Sequence, residues 1–289
     1  MVSFSMDTFI VVGLAGLSYG SVLFLVSTGL SLVLGLMGIV NLAHGAFFMV
    51  GAYTGTYVAK ATNSLLLGIL VGAFMATLVG LLIERGFLRF LYKQELMQIL
   101  ATLGFVHIIT NIHQWIYGGW PQSGFVPEYF WGAVEIGELS FPYHRLSVII
   151  VGGVACVVLW LLQEKTRIGA IVRAGMDDAE MTNGLGINLT PINIGAFCLG
   201  AFLAGFAGVV GAPVLGGFHL NSGHDMFFVA IGVCIVGGVG SIQGALVGAL
   251  LIGLAVNLAG TYAQPIAIFV MYILMVIVLF FKPEGLITR

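Results

Sequence analysis

The residues able to do chemistry in this sequence are few, and they stand in two settings. The first is a set of uncharged polar groups inside long apolar runs. Asn41 and His44 are three apart, which puts them on one helix face. Tyr53 follows in the same run, and His107, Thr110, Asn111 and His113 cluster in a later one. Asn257 lies near the end of a third run. Amide and imidazole groups at such positions line a path for a solute or bond neighbouring helices. Both readings stay open for Asn41, His44, Tyr53 and Asn257. The second setting is a polar island from Gln163 to Ile194. Seven of the 22 charged residues fall between Glu164 and Glu180. Acidic Asp177, Asp178 and Glu180 favour the start of a short helix through its dipole. Gly184 and Gly186 suit its end.

Several chemistries find no residues here. There is no P-loop, HExxH or GxSxG pattern, and no paired membrane Asp. No metal ligand set is present. Cys156, Cys198 and Cys234 lie inside apolar runs and read as small hydrophobes. No Asp, Glu, Lys or Arg is expected at mid-membrane depth, which argues against an ion-coupled carrier or a charged-ring channel. Energy for transport would therefore come from another chain.

What must position these groups follows from composition. The chain has 289 residues, 60% hydrophobic and only 8% charged. A soluble domain carries about 25% charged residues, so this is an all-α integral membrane protein. Net charge is −2, which gives no case for nucleic acid. The N-terminus lacks a basic n-region, so the first apolar run is expected to be a retained span. Charge-free stretches run over 8–59, 61–83, 96–116, 146–163, 181–224 and 226–281. At about 20 residues per crossing, they predict a polytopic bundle of 8–10 transmembrane segments in one domain, 1–289. A break is expected near Gly35-Leu36-Met37-Gly38, and a short half-helix near 226–238. The loop 117–145 reads as extracytoplasmic with a short hairpin, and 164–190 as a cytoplasmic loop. Eight of the ten basic residues, Lys93 and Arg289 among them, fall on the island's side, leaving Lys60 and Arg145 opposite. Ala196, Gly200, Ala204, Gly208 and Ala212 recur every fourth residue as a smooth ridge for close helix packing, within the chain or against a second one.

The stretches 29–53 (GLSLVLGLMGIVNLAHGAFFMVGAY), 166–188, 195–213, 237–253 and 281–286 resemble the permease subunits of ABC importers for branched-chain amino acids. That family has urea, amide and aromatic-acid relatives. The short N-terminus and NLAHG resemble the shorter of its two permease types. The resemblance implies a second permease, two ABC ATPase subunits, an extracellular or periplasmic solute-binding protein, and a bacterial or archaeal cytoplasmic membrane whose lipid surrounds it. It implies no cofactor on this chain, with ATP and Mg used by the ATPases. It also implies a coupling helix in the island. Asp178-Ala179-Glu180, Gly184 and Ile194 fit the spacing of EAA-x3-G-x9-I, with Glu180 for the last Ala and Gly195-Ala196 for Leu-Pro. Arg173, Asp177 and Gly186 flank that motif. The alternative is a self-sufficient channel or facilitator for a small neutral solute such as urea, which has no use for a docking helix. An intramembrane enzyme is a distant third reading.

Overall fold

A computed structural model describes residues 6–92 and 94–287. Lys93 and Arg289, counted above for orientation, lie outside the described residues. The helices are α1 Met6–Met37, α2 His44–Thr62, α3 Leu65–Gly86 and α4 Glu95–Tyr117. A hairpin follows, β1 Ala133–Ile136 against β2 Leu139–Pro142, antiparallel with Ala133 opposite Pro142. Then come α5 Tyr143–Lys165, α6 Arg167–Asp177, α7 Ala179–Gly184, α8 Thr190–Gly211, α9 Ser222–Gly237, α10 Ile242–Tyr262 and α11 Gln264–Phe281.

The helices start where the sequence supplies caps. The hydroxyls of Ser64 and Ser241 accept from the amides of Leu67 (3.4 Å) and Gly244 (3.0 Å). Prolines stand in the first turns of α8 and α11. The expected break after α1 falls at Gly38, whose φ of +65° suits glycine. Among the described residues, seven helices are long and apolar enough to cross a membrane: α1, α3, α4, α5, α8, α10 and α11. The protein is thus a multi-pass membrane protein. Two further helices sit inside the bundle. α2 carries His44, Lys60 and several threonines, and most of it is buried against α3, α8 and α9. α9 has 16 residues, too few to cross upright, and begins four residues before the expected half-helix. Among the described residues the candidate spans are thus seven, against the eight to ten expected, because α2 and α9 are not long and apolar enough to be counted as crossings.

α1 and α8 form the centre. α1 is buried almost without interruption from Ser18 to Val33. The α8 ridge is consumed inside the chain. A Cβ on Gly200 would lie 2.9 Å from the Gly29 carbonyl oxygen of α1. One on Gly208 would lie 2.7 Å from the Ala52 amide nitrogen of α2 and strike the Phe48 carbonyl. Ala204 and Ala212 are fully buried, and Ala196 is buried. The ridge therefore does not offer a second permease the face that its spacing left open. Backbones meet there because only hydrogens separate them.

The two ends of the bundle are distinct. At one, Lys60 donates to the Ser123 hydroxyl (3.3 Å) and Arg145 to the Val214 carbonyl (3.2 Å). Gln122 and Phe218 exchange two backbone bonds of 2.8 Å, and the hairpin turn at Gly137 meets Asp7 at the start of α1. At the other end, Met176 of α6 packs on Gly35 and Gly240. There the C-terminal segment bonds back, Leu286 and Ile287 amides to the Val236 and Gly237 carbonyls.

Two carboxylates at the edges of apolar runs stand on helices. Asp225 stands in the first turn of α9, discussed below. Glu84 does not end α3, which runs on to Gly86; its side chain is fully buried and accepts from the Tyr92 hydroxyl at 2.5 Å. Burial first, and then the Glu84 carboxylate, push the Tyr92 phenol above its ordinary pKa, so it stays a donor. Tyr92→Phe should therefore cost roughly 1–3 kcal/mol by stranding a buried carboxylate oxygen. A thermal melt in detergent checks this, and an unchanged melting temperature would contradict it.

Candidate functional site

Two regions gather polar groups. In the island, the chain forms two short helices rather than one. The Thr166 hydroxyl accepts from the Gly169 amide (3.0 Å) and so starts α6. Arg173 donates to the Gln163 carbonyl and pairs with Glu164 at 3.4 Å, tying α6 back to the end of α5. Asp178 has extended backbone, which ends α6. Its carboxylate accepts from the Met181 amide (2.8 Å), and this caps α7. Gly184 is the last residue of α7, and Gly186 turns the chain with φ +85°. Asp177, Asp178, Ala179, Glu180, Gly184 and Gly186 are all exposed, and Arg173 is half-buried. Met181 (67% exposed) and Leu185 (76%) add apolar groups to the same tip. Sequence reasoning passed over them because single exposed hydrophobes carry no pattern. The result is a firmly capped projection with acidic and apolar groups on its outside.

The second region is where α2 and α9 begin. Their first turns touch: a Cβ on Gly223 would lie 2.7 Å from the Gly45 carbonyl oxygen. Two cavities open beside this junction. One, of about 180 Å³, is lined by His107 and Thr110 of α4, Leu42 and Met49, and Asn221 and His224 at the start of α9. The other, of about 470 Å³, opens toward the hairpin end and is lined by Gln122, Ser123, His219, Ser222, Asp225 and Met226. Ser222 ties that wall together, bonding His219 through its amide (2.8 Å) and Nδ1 (2.7 Å). His219 Nε2 faces Asp225 Oδ2 at 3.8 Å. The junction thus offers imidazoles, a carboxylate, hydroxyls and the positive ends of two helices.

The path residues expected from sequence stand behind this surface. Asn41 is fully buried and accepts from the Ala43 amide (3.1 Å), shaping the entry to α2. His44 is 1% exposed, with Nε2 2.9 Å from the Val26 carbonyl of α1. Tyr53 is 2% exposed and packs on Phe218, His113 and Tyr117. Asn257 lies apart on α10 and donates to the Gly253 carbonyl of its own helix (2.9 Å). Asn41, His44 and Tyr53 share one helix and its entry; the structure does not bring Asn257 to them. The stretch that does line the cavities, His219-Leu220-Asn221-Ser222-Gly223-His224-Asp225, carried a usable signal. Asp225 is the one formal charge between Met181 and Phe281.

Set against known proteins, the sequence is that of a transport permease. Residues 12–279 match the family model described as branched-chain amino acid transport system, permease component. The chain belongs to that family. It is 29% identical to the high-affinity branched-chain amino acid transport system permease protein BraD of Pseudomonas aeruginosa, over 95% of this chain and 94% of the relative. It is 27% identical to the permease protein LivH of the corresponding system of Escherichia coli K12, with the same coverage. The autoinducer 2 import system permease LsrC of Escherichia coli is 29% identical over 63% of this chain and 48% of its own length. No solved structure matches.

Proposed function

We propose that this chain is one permease subunit of an ATP-driven importer for branched-chain and other hydrophobic amino acids. It works with a second permease, two ABC ATPase subunits, and a solute-binding protein outside the cell. ATP and Mg reside on the ATPases, and this chain carries no cofactor and no catalytic residue. The hairpin end, with Lys60 and Arg145, faces outward, and the island faces the cytoplasm, a reading supported by the excess of basic residues there. The capped tip of α7 is the coupling element. Asp178 holds its start, and Gly184 and Glu180 face the ATPase.

The observation that carries the substrate reading is the junction of α2 and α9, flanked by its two cavities. A zwitterion needs partners for a carboxylate and an ammonium. The amide ends of two helices suit the first, and Asp225 suits the second. Urea has neither charge, so Asp225 speaks against the facilitator reading, as do the amino-acid systems named for BraD and LivH. Asp225→Asn should lower leucine uptake roughly tenfold or more, since a charge-assisted bond is worth about 1.5–3 kcal/mol. Uptake into vesicles holding the assembled importer is the measurement, with leucine and urea compared. Wild-type leucine uptake in the variant, or urea carried as well as leucine, would count against the reading.

A further inference from the structure

A third cavity, of about 280 Å³, lies at the island end between α1, α5, α6 and α8. Leu32, Leu159, Leu162, Ile168, Val172 and Leu199 make its wall almost wholly apolar. Its depth is marked by Trp160, which sits between Leu159 and Leu162, with Lys165 Nζ 5.9 Å from its ring. Trp and Lys side by side are the signature of headgroup level. The cavity therefore lies just beneath the headgroups, where acyl chains begin. Lys165 and Arg167 are exposed and lie between the cavity residues Gln163 and Ile168 in sequence, within two residues of one or the other. Among the described residues neither forms an ion pair, while Arg173 is already held by Glu164.

We propose that this cavity holds an acyl chain of an anionic phospholipid from the leaflet on the island's side, with its phosphate at Lys165 and Arg167. Basic side chains over an apolar slot between helices recognise such a lipid by both halves. Because the cavity is walled by Ile168 and Val172 of α6 and by Pro191 and Leu199 of α8, the lipid braces the root of the island against the core.

Native mass spectrometry of the full importer tests this, with phosphatidylglycerol or phosphatidylethanolamine of matched chains added in turn. Phosphatidylglycerol should be retained at least roughly fivefold better, the factor of one basic residue. Lys165→Gln with Arg167→Gln should abolish the preference, bringing the two lipids to equal retention. A Cβ on Gly195 meets nothing within 4 Å, so Gly195→Phe places its ring in the cavity without moving backbone. That variant should displace both lipids. Glycerol phosphate without chains should not compete; full competition by it would make this a plain phosphate site and overturn the proposal. Equal retention of the two lipids by wild type would overturn it too. So would phosphatidylglycerol binding to the separate chain but not to the assembly, because a partner subunit would then fill the slot.

Discussion

Replacing Gly208 by leucine should destroy the folded chain even when it is made without any partner. The added side chain would strike the Phe48 carbonyl and sit against the Ala52 amide, both part of the α2 backbone. α2 has little room to retreat, because it is also held tightly by α3, where a Cβ on Gly72 would lie 2.9 Å from the Gly51 carbonyl oxygen. Overpacking a core costs roughly 1–3 kcal/mol when side chains give way. Here backbone must give way, and the whole fold rests on a margin of roughly 5–15 kcal/mol. Size-exclusion chromatography of the fluorescently tagged chain should show the monodisperse peak lost. Gly195→Leu on the same helix, which meets open space, should keep it. A Gly208→Leu chain that elutes normally and fails only to join a second permease would return the ridge to the interface.

Gly184→Trp should do the opposite: leave the fold intact and stop transport. Gly184 is the last residue of α7 with an ordinary backbone conformation, and a Cβ there meets nothing within 4 Å. Nothing inside this chain opposes the ring. If α7 seats in a groove of an ATPase, the ring occupies the space the groove wall needs. Losing about 1.4 kcal/mol of docking energy already lowers occupancy roughly tenfold, and a steric clash of this size should exceed that. Uptake and ATPase co-purification should fall together, with membrane content and melting temperature unchanged. Gly184→Ala should behave as wild type. Normal uptake in Gly184→Trp would remove α7 from the coupling surface.

The sequence made the span pattern plain because burial in lipid forbids charge, and the charge-free runs coincide with the long helices. The caps at Ser64, Thr166, Asp178 and Ser241 act within four residues, so they too were open to local reading. What was hidden depends on contacts distant in sequence. The spacing of Gly200 and Gly208 announces a close helix approach but not whose helix approaches; Gly29 and Phe48 lie more than 150 residues away. Asn41 and His44 were read as polar groups sharing a helix face, yet Asn41 stands before α2, and bonds to Ala43 and to Val26 of α1 turn the two into the wall. The cavities belong instead to His107, Asn221, His224 and Asp225, brought together because α9 is short and starts beside Gly45. A charge at the edge of an apolar run reads as a boundary in sequence. Glu84 shows how it reads in space when the helix runs on past it into the packed chain, and Asp225 when the helix begins just before it.

The central claim is that this chain carries an amino acid inward at the expense of ATP held by other subunits. The direct measurement is accumulation of radiolabelled leucine in proteoliposomes containing the purified importer and its solute-binding protein, with ATP supplied on the ATPase side. The account predicts accumulation above the outside concentration that needs ATP, the binding protein and this chain together, and that vanishes with Gly184→Trp. Leucine that equilibrates through this chain alone, without ATP and without rising above the outside concentration, would contradict it.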